Sequence, residues 1–164
     1  MLSNTMLTAM NEQVKHELYS AYLYLSMAAH FEAANLGGFA SWMRVQAAEE
    51  QEHAMKFFDF IIDRGGKVAL QAIDQPPVEF TTPLAVFDKV QHHEQQVTAL
   101  IHKLYALAVK EGDYATQVFL NWFVSEQVEE EKNASTILET LKLIGDKSNA
   151  IYQLDHQMGK RAAD

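Results

Sequence analysis

The chain has 164 residues, of which 48% are hydrophobic and 21% charged, an ordinary balance for one globular domain over 1–164. Its net charge of −9 comes without a basic stripe, so nucleic acid is not an expected partner, whereas metal cations suit the charge. There are no cysteines, which excludes disulfides, zinc–thiolate sites and iron–sulfur clusters. Since no run of about 18 apolar residues occurs, we expect no membrane span and a reducing cytoplasm as the location.

Apolar residues recur at three- and four-residue spacing in four long blocks, and this spacing predicts an all-α chain. The predicted helices cover about 4–34, 39–64, 82–112 and 114–144, so the bundle occupies about 4–144. The sequence Asn-Leu-Gly-Gly at 35–38 is expected to end the first helix, and Thr82 followed by Pro83 to begin the third. A short fifth helix is predicted at about 148–158, with Ser148 as its cap.

The connections between these helices indicate the topology. The first and last connections within the bundle are short, so each joins antiparallel neighbours. The link between the second and third helices has about 18 residues, and an extended chain of that length spans up to about 60 Å. A helix of 28 residues is only about 42 Å long. The link can therefore run back along the bundle, which predicts a four-helix bundle with one long crossover; the alternative is a loose surface loop in an up-down bundle.

A glutamate interrupts the apolar stripe of each long helix near its middle. In a bundle the four would come to one level, and they are Glu17, Glu50, Glu94 and Glu130. The spacing also repeats: Glu50 follows Glu17 by 33 residues with His53 three further on, and Gln127 follows Glu94 by 33 with Glu130 three further on.

Four carboxylates in a dry core are too costly unless protons or a metal neutralise them. One histidine with four carboxylates is an oxygen-rich set that suits iron or manganese better than structural zinc. Glu50 is the natural bridging ligand, because its helix also supplies His53. The alternative is that each glutamate reaches solvent or pairs with a basic residue, but the stripes carry no lysine or arginine.

Three segments carry a resemblance to the bacterial non-haem ferritins that extends over essentially the whole chain. They are NEQVKHELYSAYLYLSMA around Glu17, AAEEQEHAMKFFDFI around Glu50, and FLNWFVSEQVEEEK around Gln127. The resemblance implies a ferritin-like bundle, known for di-iron carboxylate sites, and a hollow cage of 24 subunits. It further implies oxidation of Fe(II) by O2 at a di-iron centre within each subunit and storage of Fe(III) as a hydrated oxide.

The resemblance also assigns individual residues. A first iron site matches Glu17, Glu50 and His53, and a second matches Glu50, Glu94 and Glu130 with Gln127 beside it. Tyr24 matches a tyrosine next to the family's centre, where it is a candidate electron donor; the alternative is a core tyrosine with its hydroxyl satisfied.

A third iron site in bacterial members of this type matches Glu49, Glu126 and Glu129, together with Glu130. The alternative for these acids is a solvated acidic patch. Glu52 and Glu131 are expected to be plain surface charges, His93 to be exposed beside Glu94, and Trp122 to serve packing.

Differences between this sequence and three related protein families narrow the choice of family further. Bacterioferritins bind haem through a methionine just after the second helix's glutamate, where this chain has Glu52, so no haem is expected. Rubrerythrins need cysteines, and mini-ferritins lack a helix after the bundle. Ile151, Tyr152 and Leu154 of the fifth helix offer apolar surface for contacts about a four-fold axis. Two rival functions stay open: a di-iron oxidase or oxygenase with an organic substrate, and a passive metal-binding bundle.

Overall fold

Five α-helices and no strand make up residues 1–161, the part of the chain that the computed structural model describes. They are α1 (Asn4–Ala33), α2 (Gly37–Asp63), α3 (Pro83–Glu111), α4 (Tyr114–Ile144) and α5 (Ser148–Met158). The predicted all-α class and the five predicted helices are confirmed. Within the same residues, no helix combines the length and the apolar character needed to cross a membrane.

Side chains cap three of the four long helices at their first turn. Ser3 Oγ accepts a hydrogen bond from the Met6 amide at 3.0 Å, and Thr82 Oγ1 accepts one from the Ala85 amide at 3.1 Å, as predicted. The Asp113 carboxylate caps α4 through the Thr116 amide at 3.1 Å. Each cap satisfies an amide that has no partner within its own helix.

Two predicted helix boundaries differ from the structure. Gly37 and Gly38 do not end α1 but are the first residues of α2, and Ser148 is the first residue of α5 rather than its cap. The close approach of α5 explains the glycine at position 38, since a Cβ there would lie 1.6 Å from the Asp155 carbonyl oxygen. The Asp155 carboxylate also accepts a hydrogen bond from the Phe39 amide at 2.9 Å, so α5 caps the start of α2.

Two separate apolar clusters show how the helices run. One contains the start of α1 (Met10), the end of α2 (Ile61), the end of α3 (Leu104) and the start of α4 (Leu120). The other contains the opposite ends of the same helices, with Phe31, Phe39, Phe87 and Leu141. Therefore α2 is antiparallel to α1 and parallel to α3, and α3 is antiparallel to α4.

Because α2 and α3 are parallel, the segment between them must travel the length of the bundle. Its path is fixed on α1: Asn11 Nδ2 donates to the Lys67 carbonyl at 3.2 Å, and the Asn11 side-chain oxygen accepts from the Ala69 amide at 2.7 Å. Further along, Ser26 Oγ donates to the Pro77 carbonyl at 2.6 Å. The 15 residues from 11 to 26 cover about 22 Å of helix, so the link follows α1 as the crossover prediction requires.

The short helix α5 packs on the end of the bundle that contains the start of α2. Met158 is buried in the core cluster there, and Ile151 and Leu154 pack against the same cluster. Tyr152 stays exposed. Three residues were predicted to offer apolar surface for contacts between subunits. Two of them, Ile151 and Leu154, pack against the bundle of their own chain instead.

Candidate metal centre

A layer of polar side chains separates the two apolar clusters. Every member is at most 4% exposed, and the layer consists of Glu17, Glu50, His53, Glu94, Gln127 and Glu130. The stripe spacing predicted this layer, and α1 to α4 each contribute at least one member. Buried carboxylates without compensation are unfavourable, so the layer requires protons, hydrogen bonds or cations.

Three members of the layer lie close enough to bind one metal ion. One ligand atom each from Glu17, Glu50 and His53 can be chosen such that all three lie within 4.8 Å of one another. Two of the oxygens, Glu17 Oε2 and Glu50 Oε2, are buried without a hydrogen-bond partner. Buried polar atoms are almost always paired. When both groups are ionised, neither oxygen has a donor in the protein, so either a proton shared between the two carboxyl groups or a bound cation is needed to satisfy them.

The two carboxyl groups of this trio hold protons tightly. Burial raises the pKa of Glu17 to about 7, although a hydrogen bond from Gln13 Nε2 at 2.8 Å acts in the opposite direction. Burial, followed by the charges of Glu94 and Glu17, raises the pKa of Glu50 well above its ordinary value. A metal ion that binds here must displace these protons.

The His53 imidazole is neutral and therefore available as a metal ligand. Burial lowers the pKa of His53 to about 4. Its Nδ1 lies 3.6 Å from Glu50 Oε2, too far for a hydrogen bond. The ring packs edge-on against Trp122 and Phe123, at centroid distances of 5.3 and 5.9 Å. Trp122 thus serves packing as predicted, although its side of α4 is partly exposed.

On the other side of the layer, Glu94 makes hydrogen bonds within the protein. It accepts a short hydrogen bond from the Tyr24 hydroxyl. Gln127 Nε2 lies 3.3 Å from Glu94 Oε2 and 3.2 Å from Thr98 Oγ1. Burial raises the pKa of Glu94, and the hydrogen bonds from Tyr24 and Gln127 oppose that rise. Thr98 in turn donates to Glu131 at 2.6 Å, so Glu131 is half-buried and not the plain surface charge predicted.

Glu130 is held by a residue that the sequence analysis did not single out. The fully buried Gln46 donates from Nε2 to Glu130 Oε2 at 2.9 Å. The Gln46 side-chain oxygen accepts a short hydrogen bond from Arg161 Nη1. Burial, followed by the charge of Glu94, raises the pKa of Glu130 to about 8. Glu94 and Glu130 thus belong to the layer, but their carboxyl oxygens accept hydrogen bonds from donors within the protein.

The predicted auxiliary acids come together only in part. Glu126 Oε1 lies 3.9 Å from His53 Nε2, and burial, followed by the charges of Glu129 and Glu49, raises the pKa of Glu126. Glu129 is exposed. Glu49 forms an ion pair with Arg161 at 2.7 Å. A cation near this cluster would therefore meet a positive charge that the sequence analysis did not foresee.

Contrary to the prediction, the His93 side chain does not extend into solvent. Its Nε2 lies 2.7 Å from Ser20 Oγ, and its ring packs edge-on against Tyr24 at a centroid distance of 6.2 Å. Because Ser20 donates its own proton to the His16 carbonyl, it accepts from His93 Nε2. Burial lowers the pKa of His93 to about 4. The ring thus completes the wall behind Tyr24.

A spacing signal for two of the missed residues was present in the sequence. Gln13 precedes Glu17 by four residues, and Gln46 precedes Glu50 by four, so each glutamine shares a helical face with a core glutamate. Both glutamines are buried. Arg161 offered no such signal, because it follows the last helix and lies 112 residues from Glu49.

Comparison with known proteins agrees with this architecture over the whole chain. The ferritin-like domain family matches residues 7–144. The chain is 40% identical over 164 residues to the bacterial non-heme ferritin of Staphylococcus aureus (strain USA300), covering 100% of this chain and 99% of that protein. It is 44% identical over 161 residues to the bacterial non-heme ferritin of Bacteroides fragilis (strain 638R), covering 98% and 100%.

Among solved structures, the chain is similar to an open pore ferritin from the hyperthermophilic archaeon Archaeoglobus fulgidus. The TM-score is 0.98 at 50% identity, and the match covers 99% of this chain and 100% of that one. The resemblance drawn from the sequence is confirmed by family, by relatives and by structure. The chain therefore belongs to the ferritin family of iron-storage proteins.

Proposed function

We propose that this chain is a ferroxidase as well as a store: Fe(II) is its substrate, O2 its oxidant, and the polar layer its reaction site. The observation that carries the proposal is the trio Glu17, Glu50 and His53, whose ligand atoms lie within 4.8 Å of one another and include two buried, unpartnered oxygens. Carboxylate oxygens with one neutral imidazole form a ligand set that suits Fe(II) and Fe(III).

Some residues of the layer bind the iron ions, and others hold those ligands in position by hydrogen bonds. Glu17, Glu50 and His53 take the first Fe(II), and Glu50 is shared with a second Fe(II) that Glu94 and Glu130 bind. Gln127 and Gln46 hold the second pair of carboxylates by hydrogen bonds at 3.3 and 2.9 Å. Two Fe(II) give one electron each to O2, which takes up two protons and leaves as hydrogen peroxide while two Fe(III) are formed. The ligands lose their carboxyl protons as the Fe(II) ions enter. Tyr24, which donates a hydrogen bond to Glu94, is positioned to give one further electron.

The cavities of the chain favour an inorganic substrate over an organic one. The two cavities lined by His93, of about 380 and 390 Å³, lie along the groove between α1 and α3. Glu17, Glu50 and His53 do not line either of them. An oxygenase needs space for an organic substrate beside its metal ions, whereas these two cavities lie beside Tyr19 and His93.

We further propose assembly into the 24-subunit cage of ferritins. An apolar patch on α1 and the crossover link supports it, with Tyr22, Leu25, Ile73 and Val78 each between 38% and 64% exposed. Exposed apolar patches of this kind mark protein interfaces. The absence of haem stays a prediction, as does the cytoplasmic location.

The test adds Fe(II) in air to the purified protein and follows Fe(III) absorbance. We expect oxidation far faster than in buffer, with its fast phase lost in Glu50→Ala and kept in Glu52→Ala, whose side chain is exposed. A passive metal-binding bundle would show no acceleration. Size-exclusion chromatography and electron microscopy test the cage: a small species that oxidises iron without storing it would contradict assembly while leaving the centre in place.

A further inference from the structure

One face of α2 is covered by α5 and residues 159–161. Asp155 caps the Phe39 amide, and beyond Met158 the chain brings Arg161 to Trp42, Gln46 and Glu49. Positions 39, 42, 46 and 49 are three or four residues apart, so they form one stripe along the helix. Docking of α5 at the start of α2 therefore sets where Arg161 lies.

Arg161 makes three kinds of contact on this stripe. Its guanidinium carbon lies 4.9 Å from the centroid of the Trp42 ring. Its Nη1 donates to the Gln46 side-chain oxygen, and its Nη2 lies 3.0 and 2.7 Å from the two oxygens of Glu49. The two charged side chains are only 25% and 22% exposed. The guanidinium is thus held in one position by stacking on Trp42, by the neutral acceptor of Gln46 and by the partly shielded carboxylate of Glu49.

The contact with Gln46 fixes which way its amide points. Because Gln46 accepts from Arg161 through its oxygen, its Nε2 must face the other direction, where it donates to Glu130 Oε2 at 2.9 Å. Without Arg161 the amide could turn over and present its oxygen to Glu130, which is an unfavourable pairing of two acceptors once metal binding has removed the Glu130 proton. Arg161 thus acts on Glu130 through Gln46.

The contact with Glu49 has a different consequence. A guanidinium within 3 Å of both oxygens already supplies this carboxylate with a positive charge. A metal ion that uses Glu49 must either displace the guanidinium or bind a few ångströms from it. At such separations repulsion between like charges is strong in a partly shielded site.

We propose that Arg161 is a positioning residue of the metal centre, which orients Gln46 toward Glu130 and competes with a metal cation for Glu49. Of the two routes, we take displacement: a cation that binds the auxiliary acidic cluster through Glu49 moves Arg161 from its place on Trp42. This inference rests on the proposed function, because it takes Glu130 as a ligand and Glu49 as an auxiliary one. It predicts that the main centre fills first and the auxiliary cluster only afterwards.

The experiment titrates the assembled, metal-free protein with Zn²⁺, which is redox-inert and binds carboxylate and imidazole ligands. Calorimetry should show a weak class of sites in the wild type that becomes about tenfold tighter in Arg161→Gln, the order expected for removing one nearby like charge. Lys160→Gln, which removes an exposed charge one residue earlier, should behave as the wild type. Adding Glu49→Gln to Arg161→Gln should abolish the gain.

Two tryptophans report separately on the two events. Trp122 lies against His53, and Trp42 lies under Arg161. With Trp122→Phe, the emission of Trp42 should change only after the main centre is filled; with Trp42→Phe, the emission of Trp122 should change at the first additions. This measurement keeps Arg161 in place, so it does not depend on how well the Arg161 variant folds.

The outcomes separate the two proposals. Coinciding isotherms for Arg161→Gln and Lys160→Gln, or Trp42 emission that stays constant up to Zn²⁺ saturation, would overturn the role of Arg161 and leave the metal centre intact. If Trp122 emission does not respond to Zn²⁺ and calorimetry detects no tight class of sites, the proposed metal centre itself is wrong.

Discussion

The Tyr24 hydroxyl donates a hydrogen bond to Glu94 across the interface between α1 and α3, and both side chains are fully buried. The contact places a redox-active ring against a proposed ligand. Burial and the charges of Glu94, Glu50 and Glu130 raise the pKa of Tyr24, so the hydroxyl stays protonated and remains a donor.

Replacement of Tyr24 by Phe should lower the stability of the metal-free protein and remove an electron donor from the centre. A buried carboxyl group loses one donor, so we expect the free energy of unfolding to fall by about 1–3 kcal/mol. A tyrosyl radical, detectable by electron paramagnetic resonance after Fe(II) and O2 are mixed, should be lost. Tyr22→Phe, at a half-exposed position, is the control. A radical that persists in Tyr24→Phe would assign it to another residue.

Replacement of Glu50 by Gln should affect stability and activity in opposite directions. Burial raises the pKa of Glu50 well above its ordinary value, so at pH 8 the folded chain must either keep a proton on this carboxyl group or bury its charge. A neutral amide removes this cost and should raise the free energy of unfolding of metal-free protein by about 1–3 kcal/mol. The same change removes the shared ligand and should abolish fast Fe(II) oxidation. Denaturant unfolding with and without Zn²⁺ checks the first effect: Zn²⁺ should stabilise the wild type far more than the variant. A variant less stable than wild type without metal would contradict an unfavourable burial of the Glu50 carboxyl group.

The stability of metal-free protein should fall as pH rises from about 6.5 to 8. Carboxyls with pKa raised on folding keep their protons after the unfolded chain has lost them, so the free energy of unfolding decreases between the unfolded and folded values. Those values are 4.5 and about 7 for Glu17, and 4.5 and about 8 for Glu130. His53, lowered from 6.5 to about 4, has the opposite effect only below pH 6.5. Glu17 and Glu130 alone should lower the free energy of unfolding by roughly 2–3 kcal/mol, and Glu50, whose pKa is also raised, acts in the same direction.

Urea unfolding in the presence of a chelator measures this pH dependence. The double variant Glu17→Gln with Glu130→Gln should have a flatter profile over the same interval, with a remaining slope from the raised pKa values of Glu50 and Glu94. A wild-type stability that is constant or increases between pH 6.5 and 8 would show that these carboxyls are not protonated in the folded, metal-free chain.

Alanine at position 38 should displace α5 from the bundle. The added Cβ would meet the Asp155 carbonyl oxygen at 1.6 Å, a clash with backbone that cannot be relieved by rotating a side chain. Hydrogen exchange of the amides at 148–158 should increase strongly in Gly38→Ala. Gly37→Ala is a matched control, since a Cβ there meets nothing within 4 Å. Equal protection of α5 in the two variants would show that the close packing at Gly38 is not required.

The positions of the four core glutamates could be predicted because helical periodicity reports which face of a helix is buried. Each interrupted an apolar stripe, and a polar residue on a buried stripe must lie in the core. Periodicity does not report which helices meet at a given height, so His93 was assigned to solvent although α1 covers it through Ser20.

Partners distant in sequence were the part that could not be predicted. Gln46 shares a face with Glu50 but donates to Glu130, on another helix. Arg161 reaches Glu49 only because Gly38 and Asp155 dock α5 on α2. Such contacts depend on the tertiary position of short segments, which local spacing does not determine.

The division of the core into two clusters has a mechanical consequence. Each apolar half of the bundle packs on its own, and between them the four long helices meet in a layer that is mostly polar. In the metal-free chain the helices should separate first at this layer. Fe(II) bound there by side chains of all four helices would tie the helices to one another on its way to storage.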